Sequence, residues 1–184
     1  MTPEAIARFP ALPATLRNGL GALLRPLAPD DGEVLAAFYA EVPREDIRFY
    51  CPHPLDREHA LRSASRAHSP QEVVLVLEVP GVGIGGYAWY RWEGADAERS
   101  GFGICISRAC QGVGAGKLLM TRLLEIAREI GPAVMCLTVQ LANAPALALY
   151  RQTGFRVVRE QTRQHDPAFG FGPEPEYYME RPVR

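Results

Sequence analysis

The stretch Gln111-Gly112-Val113-Gly114-Ala115-Gly116 decides how this sequence folds, because it places three glycines between two segments of opposite character. Before it, Gly101 to Ser107 has the composition of a β-strand. After it, apolar residues recur at helical spacing from Lys117 to Ile130, which predicts one buried helix face. Gly131-Pro132 ends that helix, and the apolar run Ala133 to Leu141 is typical of a strand covered on both faces. The centre of the chain is therefore predicted to be a strand–helix–strand crossover.

Outward from this crossover, short strands and helices alternate in a pattern that predicts an α/β protein with a mixed central sheet and helices on both faces. A single domain is expected over residues 21–184, preceded by a Pro- and Ala-rich N-terminal arm or short helix over residues 1–20. The further strands are predicted at 21–28, 71–79, 84–92, 155–160 and 176–180, and the further helices at 31–41, 54–67 and 143–153.

The glycine-rich turn is a candidate anion site, because the first amides of a helix are free and glycine lets a phosphate approach the backbone closely. A nucleotide-binding Walker loop would need Gly in place of Gln111 and Ser or Thr in place of Leu118. A dinucleotide fingerprint starting at Gly112 would need Gly in place of Lys117. Taken alone, the turn could also be a tight connection with no ligand.

Composition excludes several other classes of function. A net charge of −1 gives no general attraction to nucleic acid or to an anionic membrane. Cys51, Cys105, Cys110 and Cys136 form no CxxC pair, and Cys51-Pro52-His53 with His59 offers too few ligands for a metal site. A reducing, cytoplasmic setting without a metal is the expectation.

Two motifs together resemble those of the GNAT superfamily of N-acetyltransferases. Gln111-x-x-Gly114-x-Gly116 is similar to the pyrophosphate motif of that family. Asn143-x-x-Ala146-x-x-x-Tyr150-x-x-x-Gly154-Phe155 matches its second signature, one helix and one strand downstream. The resemblance implies the acyl-CoA N-acyltransferase fold and acetyl-CoA as co-substrate.

By the same resemblance, the two central strands splay apart and receive pantetheine along the first of them, while backbone amides of the turn hold pyrophosphate. An acceptor amine attacks the acetyl carbonyl directly, without an acyl-enzyme, and Tyr150 donates to the leaving sulfur. The implied cofactor contacts are Ile104, Ile106, Gln111, Gly112, Val113, Gly114, Ala115, Gly116, Lys117, Asn143 and Tyr150.

The sequence departs from the family pattern at the base that receives the amine proton. Family members often carry a Glu on the first central strand, whereas residues 100–106 contain no acid. Glu98 is the nearest carboxylate and is the candidate base, with Glu78, Glu180 and His165 as further groups. The missing acid also motivates a rival hypothesis, a catalytically silent acyl-CoA-binding regulatory module.

The amine acceptor is expected to be a small molecule or a peptide, and a homodimer is common in such families. Candidate walls for the acceptor are Phe49-Tyr50, the aromatic strand residues 87–92 and the loop 165–175. Along the strand, Tyr87 and Trp89 share one face while Tyr90 and Trp92 share the other, and the sequence leaves open which pair is core.

Overall fold

A computed structural model describes residues 1–50, 52–164 and 170–184. The chain forms one eight-stranded mixed sheet in the order β1-β2-β3-β4-β5-β6-β8-β7. The strands are β1 (Leu12–Thr15), β2 (Gly21–Pro26), β3 (Glu72–Val79), β4 (Gly83–Arg91), β5 (Arg99–Ile106), β6 (Val134–Gln140), β7 (Arg156–Arg163) and β8 (Glu174–Pro182).

Six α-helices accompany the sheet within the described residues, and α5 makes the crossover between the parallel neighbours β5 and β6. The other neighbouring strands pair antiparallel. The predicted α/β class with a mixed sheet is thus confirmed. The helices are α1 (Pro3–Arg8), α2 (Gly32–Ala40), α3 (Arg44–Ile47), α4 (Arg57–Ser65), α5 (Ala115–Ala127) and α6 (Ala144–Gln152).

Each face of the sheet buries its own apolar cluster, because successive side chains of a strand point to opposite faces. On one face, Leu75 and Tyr90 pack with the apolar side of α5. On the other, Tyr87 and Trp89 pack with residues of α2 and α4. Both aromatic pairs are therefore core, Tyr87 with Trp89 in one cluster and Tyr90 with Trp92 in the other.

The first twenty residues, expected to form an arm or short helix, form α1 and β1 and pack against the domain. Thr2 caps α1 by accepting a hydrogen bond from the Ala5 amide at 3.3 Å. β1 extends the sheet by pairing antiparallel with β2. Met1, Phe9 and Leu16 are buried in the same cluster as α5. The segment therefore belongs to the core that supports the central crossover.

Helix boundaries follow local capping chemistry. The Asp56 carboxylate accepts from the His59 amide at 2.8 Å, so α4 begins at Arg57, three residues later than predicted. A short α3 lies between the predicted helices at 31–41 and 54–67, where no element was predicted. Among the described residues, no helix is long and apolar enough to cross a membrane.

Candidate functional site

The central strands separate at their C-terminal ends. β5 and β6 are in register from Arg99–Val134 to Gly101–Cys136 and no further. Beyond this point, β5 stays paired with β4 as far as Ile106, whereas β6 follows β8 as far as Gln140. A V-shaped gap therefore opens in the middle of the sheet, as the resemblance implied.

The free backbone edge of β5 faces this gap. The Ser107 amide donates to the Gly85 carbonyl of β4 at 3.1 Å. Backbone groups alternate sides along a strand, so the amides of Ile104 and Ile106 point away from β4 and toward the gap. The Gln111 side chain donates to the Ile106 carbonyl at 3.1 Å, which is consistent with this orientation. Ile104 and Ile106 thus offer main-chain hydrogen bonds to an extended ligand.

A cavity of about 610 Å³ occupies the gap and continues beneath α2 and α3. It brings together most of the cofactor contacts predicted from the sequence. Lys117 lies exposed on the first turn of α5, and neither Lys117 nor Val113 belongs to the cavity wall. The predicted residues on the wall are Ile104, Ile106, Gln111, Gly112, Gly114, Ala115, Gly116, Asn143 and Tyr150.

The glycine turn needs glycine for two different reasons. Gly112 and Gly114 have φ angles of 71° and 98°, in the left-handed region that L side chains rarely adopt. Gly114 is also the N-cap of α5, so the first free amides of the helix follow it directly. At Gly116 the reason is space, because a Cβ atom would lie 3.3 Å from the Leu149 side chain.

Arg17, which precedes β2 and was not predicted as a site residue, fixes the orientation of this turn. Its side chain donates to the Gly112 carbonyl at 2.6 Å, and its amide donates to the Val113 carbonyl at 2.9 Å. In a trans peptide the N–H points opposite to the C=O. The amides of Val113 and Gly114 therefore point away from Arg17, which leaves them free of these contacts.

Tyr150 lies on the cavity wall in an apolar setting. Its ring packs edge-to-face on Phe102, with centroids 5.9 Å apart, and against Phe155. Burial, with a smaller contribution from the Cys105 thiol, raises the pKa of Tyr150 above its usual value. The phenol therefore keeps its proton at neutral pH and can act as a hydrogen-bond donor.

Asn143 performs a structural role that the motif alone did not reveal. It is the N-cap of α6, and its side-chain oxygen accepts from the Ala146 amide at 3.3 Å. Since Asn143 also lines the cavity, it fixes the start of α6 and hence the position of Tyr150.

The structure does not bring Glu98 to the cavity. Glu98 precedes β5, at the end opposite to the glycine turn, and its side chain is 86% exposed. Glu78 and Glu180 are engaged elsewhere, in ion pairs with Arg25 and Arg99 respectively. His165 lies outside the described residues.

Two acids missed by sequence reasoning, Glu41 and Asp46, do line the cavity. Arg108, two residues after the end of β5, donates to Asp46 at 2.9 Å and also pairs with Glu45. Nothing in the local sequence of α2 and α3 signals this placement, since it arises when these helices fold over the gap.

The lack of an acid on β5 has a steric explanation. The Trp89 indole lies against β5, and a Cβ atom on Gly103 would come within 2.5 Å of it. A Cβ atom on Gly101 would lie 3.3 Å from the same ring. The indole therefore covers the strand where the resemblance led us to expect a glutamate.

A polar atom on the wall also lacks a protein partner. The Ser107 hydroxyl is buried and has no hydrogen-bond partner among the described residues. With the β5 amides and the glycine turn, it provides polar groups along the wall of the cavity. This pattern fits a long ligand with amide groups at one end and phosphates at the other.

Comparisons with known proteins agree with this geometry. The family model described as Acetyltransferase (GNAT) family matches residues 33–155. The mycothiol acetyltransferase of Clavibacter sepedonicus is 29% identical over 152 residues, which cover 78% of this chain and 48% of that protein. The chain thus spans about half the length of this curated relative.

Two solved structures are similar in fold. A GNAT family acetyltransferase from Streptococcus pneumoniae superposes with a TM-score of 0.74 at 23% identity, covering 89% of this chain and 99% of the other. The putative acetyltransferase yncA from Salmonella typhimurium, solved with its cofactor acetyl-CoA, gives a TM-score of 0.68 at 22% identity, with coverages of 89% and 94%. The match to the family model shows that this chain belongs to the acetyltransferase (GNAT) family, and its fold and splayed central strands agree with that membership.

Proposed function

We propose that this protein is an N-acetyltransferase that moves an acetyl group from acetyl-CoA to a primary amine by direct attack in a ternary complex. The observation that carries the proposal is the cavity in which the free edge of β5, the glycine turn and Tyr150 meet. We infer that the acceptor is a small molecule or a peptide, because the cavity continues from the gap beneath α2 and α3.

The chain's own groups would position the cofactor. The free amides at the N-terminus of α5 would donate hydrogen bonds to a phosphate of the cofactor. Each hydrogen bond to a charged group contributes about 1.5–3 kcal/mol. The amides of Ile104 and Ile106 would pair with the pantetheine arm. Acetyl-CoA supplies the acetyl group as a thioester.

Acetyl transfer creates two proton requirements. An amine with a pKa of about 10.4 is charged at neutral pH, and presenting its free base costs about 4.6 kcal/mol. When the C–S bond breaks, the sulfur carries negative charge that Tyr150 can stabilise by hydrogen bonding. Because burial raises the pKa of Tyr150, complete proton transfer to sulfur is uphill, and we assign Tyr150 a hydrogen-bonding role.

The proposal is tested by calorimetric titration with CoA and by release of free thiol from acetyl-CoA in the presence of spermidine, glucosamine, free amino acids and short peptides. We expect CoA to bind, ATP not to compete, and at least one amine to be acetylated. CoA binding without turnover on any of these amines would favour the silent acyl-CoA-binding module instead.

A further inference from the structure

A hydrogen-bonded chain of three side chains lies beside the cavity, on the α2 and α4 face of the sheet. The Trp89 indole N–H donates to the Tyr50 hydroxyl oxygen at 2.8 Å. The same hydroxyl lies 3.4 Å from Nε2 of His53. Tyr50 lines the cavity, whereas His53 lies behind it. Tyr50 was expected to be part of an acceptor wall, but no role assigned above uses the hydrogen bonds among these three side chains.

The direction of these hydrogen bonds follows from donor and acceptor chemistry. His53 Nδ1 lies 2.8 Å from the Pro54 carbonyl, which can only accept, so Nδ1 carries the proton. Nε2 of the neutral ring is then an acceptor, and the Tyr50 proton points to it. Because Trp89 occupies one lone pair of the Tyr50 oxygen, this oxygen keeps one lone pair for a further donor, and Tyr50 is a lining residue of the cavity.

The position of Tyr50 relative to β5 matches the acceptor side of the reaction. Tyr50 and Cys105 belong to the apolar cluster beneath α2, whereas Tyr150 belongs to the cluster beneath α5. The Cys105 thiol nevertheless makes a small contribution to the raised pKa of both phenols, Tyr50 and Tyr150. The two clusters place Tyr50 and Tyr150 on opposite faces of the sheet.

We propose that Tyr50 and His53 form the proton relay that replaces the missing acid of β5. The inference rests on the proposed acetyltransferase function and assigns its acceptor side. Tyr50 is the group that meets the amine, directly or through one water. His53 is a positioning residue that acts through Tyr50.

The relay accounts for the protons that move during acetyl transfer. As the amine nitrogen forms its bond to the acetyl carbon, one N–H proton passes to the Tyr50 oxygen. The phenolic proton of Tyr50 passes at the same time to Nε2 of His53. The C–S bond then breaks, and the sulfur leaves with the electron pair beside Tyr150. Return of the His53 proton to solvent or to the thiolate restores the starting state.

The surroundings of His53 suit a neutral proton acceptor. Burial is the main cause that lowers its pKa, and Arg91 of β4 and His59 of α4 lower it further. The Pro54 carbonyl and Asp56 act in the opposite direction. Among the residues that the structure describes, the other titratable groups whose rings contact His53 are phenols, Tyr50 itself, Tyr39 of α2 and Tyr87 of β4, and burial raises the pKa of each, so that they are uncharged at neutral pH.

His53→Gln and Tyr50→Phe test the relay, with the amine that the wild-type protein acetylates fastest as the probe. General acid–base groups contribute about 10²–10⁴-fold, so each variant should lose at least about 100-fold in kcat. The affinity for CoA should change less than threefold, because neither residue contacts the glycine turn. The double variant should be no slower than either single variant, since both substitutions interrupt the same proton pathway.

The dependence of kcat on pH separates a proton relay from packing. His53 must be neutral, so wild-type kcat should fall as pH decreases through the lowered pKa of His53, below the usual value of about 6.5. This acidic limb should be absent in His53→Gln. His68→Gln, at an exposed histidine away from the cavity, is the matched control and should keep both kcat and the limb.

Two results would overturn the relay while leaving the proposed function intact. One is a His53→Gln variant that retains kcat within threefold of wild type. The other is a slow variant whose acidic limb is unchanged, which would indicate a purely structural role. If the wild-type protein acetylates no amine, the proposed function fails first and the relay fails with it.

A measurement without turnover supplies an independent check. Nitrogen-15 NMR of the histidine side chains should show His53 as the Nδ1-protonated tautomer, with its Nε2 resonance shifted in Tyr50→Phe. An Nε2-protonated tautomer would remove the proton acceptor and refute the proposal.

Discussion

Gly114→Ala is the substitution that best tests whether the glycine turn binds phosphate. Gly114 has a φ of 98°, and an added Cβ would make only ordinary contacts at 3.7 Å with Arg17. The substitution therefore introduces backbone strain without a steric clash. Holding a non-glycine residue in the left-handed region costs about 1–2 kcal/mol. For a domain of this size, that strain lowers Tm by about 2–8 °C if the turn keeps its shape.

Relief of the strain would instead rotate the peptides on either side of residue 114. The amides at the start of α5 would then turn away from the phosphate position. Loss of one amide–phosphate hydrogen bond corresponds to about 1.5–3 kcal/mol, or about 10- to 150-fold in Kd for CoA. Both effects can be measured on one sample, by calorimetric titration and by thermal unfolding with and without CoA.

Gly94→Ala is the matched control for this experiment. Gly94 has a φ of 77° and lies in the β4–β5 loop, away from the cavity, and no atom of the described residues lies within 4 Å of the place that its Cβ would take. The substitution should lower Tm by a similar amount and leave CoA affinity unchanged. If Gly114→Ala lowers Tm clearly less than Gly94→Ala does, so that the turn has rotated to relieve its strain, but binds CoA as tightly as wild type, the phosphate-loop assignment is refuted.

Further substitutions address the remaining assignments. Tyr150→Phe removes the hydrogen-bond donor to sulfur and keeps the ring, so it should lower kcat about 10-fold or more and change the Kd for CoA less than twofold. Unaltered turnover would show that Tyr150 is only a packing residue. Arg17→Ala should weaken CoA binding several-fold, because it removes the hydrogen bond that holds the Gly112 carbonyl. Arg17→Lys should recover part of the loss. Equal CoA affinities of the wild type and the two variants in calorimetry would contradict this role of Arg17. Glu98→Gln should leave kcat/KM within twofold of wild type because the side chain is exposed at the far end of β5, and a large loss in steady-state assays would return Glu98 to consideration as the base.

Sequence patterns predicted the central crossover well because its signals are dense. The helical spacing of apolar residues in α5 and the continuous apolar run of β6 each allow one interpretation. Boundaries shifted only slightly, with α5 observed from Ala115 to Ala127. The N-terminal strand β1 was missed because it has four residues, includes a proline and is largely exposed, so that no alternation is visible.

The cofactor side of the site could be predicted and the acceptor side could not. The glycine turn and Tyr150 are local motifs, and their spacing is visible in one sequence. Trp89 over Gly103, and Tyr50 beside His53, are contacts that depend on how the chain folds over β5. The sequence shows that glycines stand at 101 and 103 and that no acid is present there. Only the fold reveals that the Trp89 indole occupies the space a side chain at these positions would need.

The gap between β5 and β6 gives the sheet an unpaired strand edge in its interior, in addition to those at its two rims. A strand edge of this kind exchanges its amide hydrogens readily and accepts any extended chain that offers matching groups. Three register pairs at the closed end of the gap join the two halves of the sheet directly. A ligand seated along β5 would therefore act as a temporary ninth strand, and its arrival should slow hydrogen exchange at Ile104 and Ile106 before it changes anything at the outer strands.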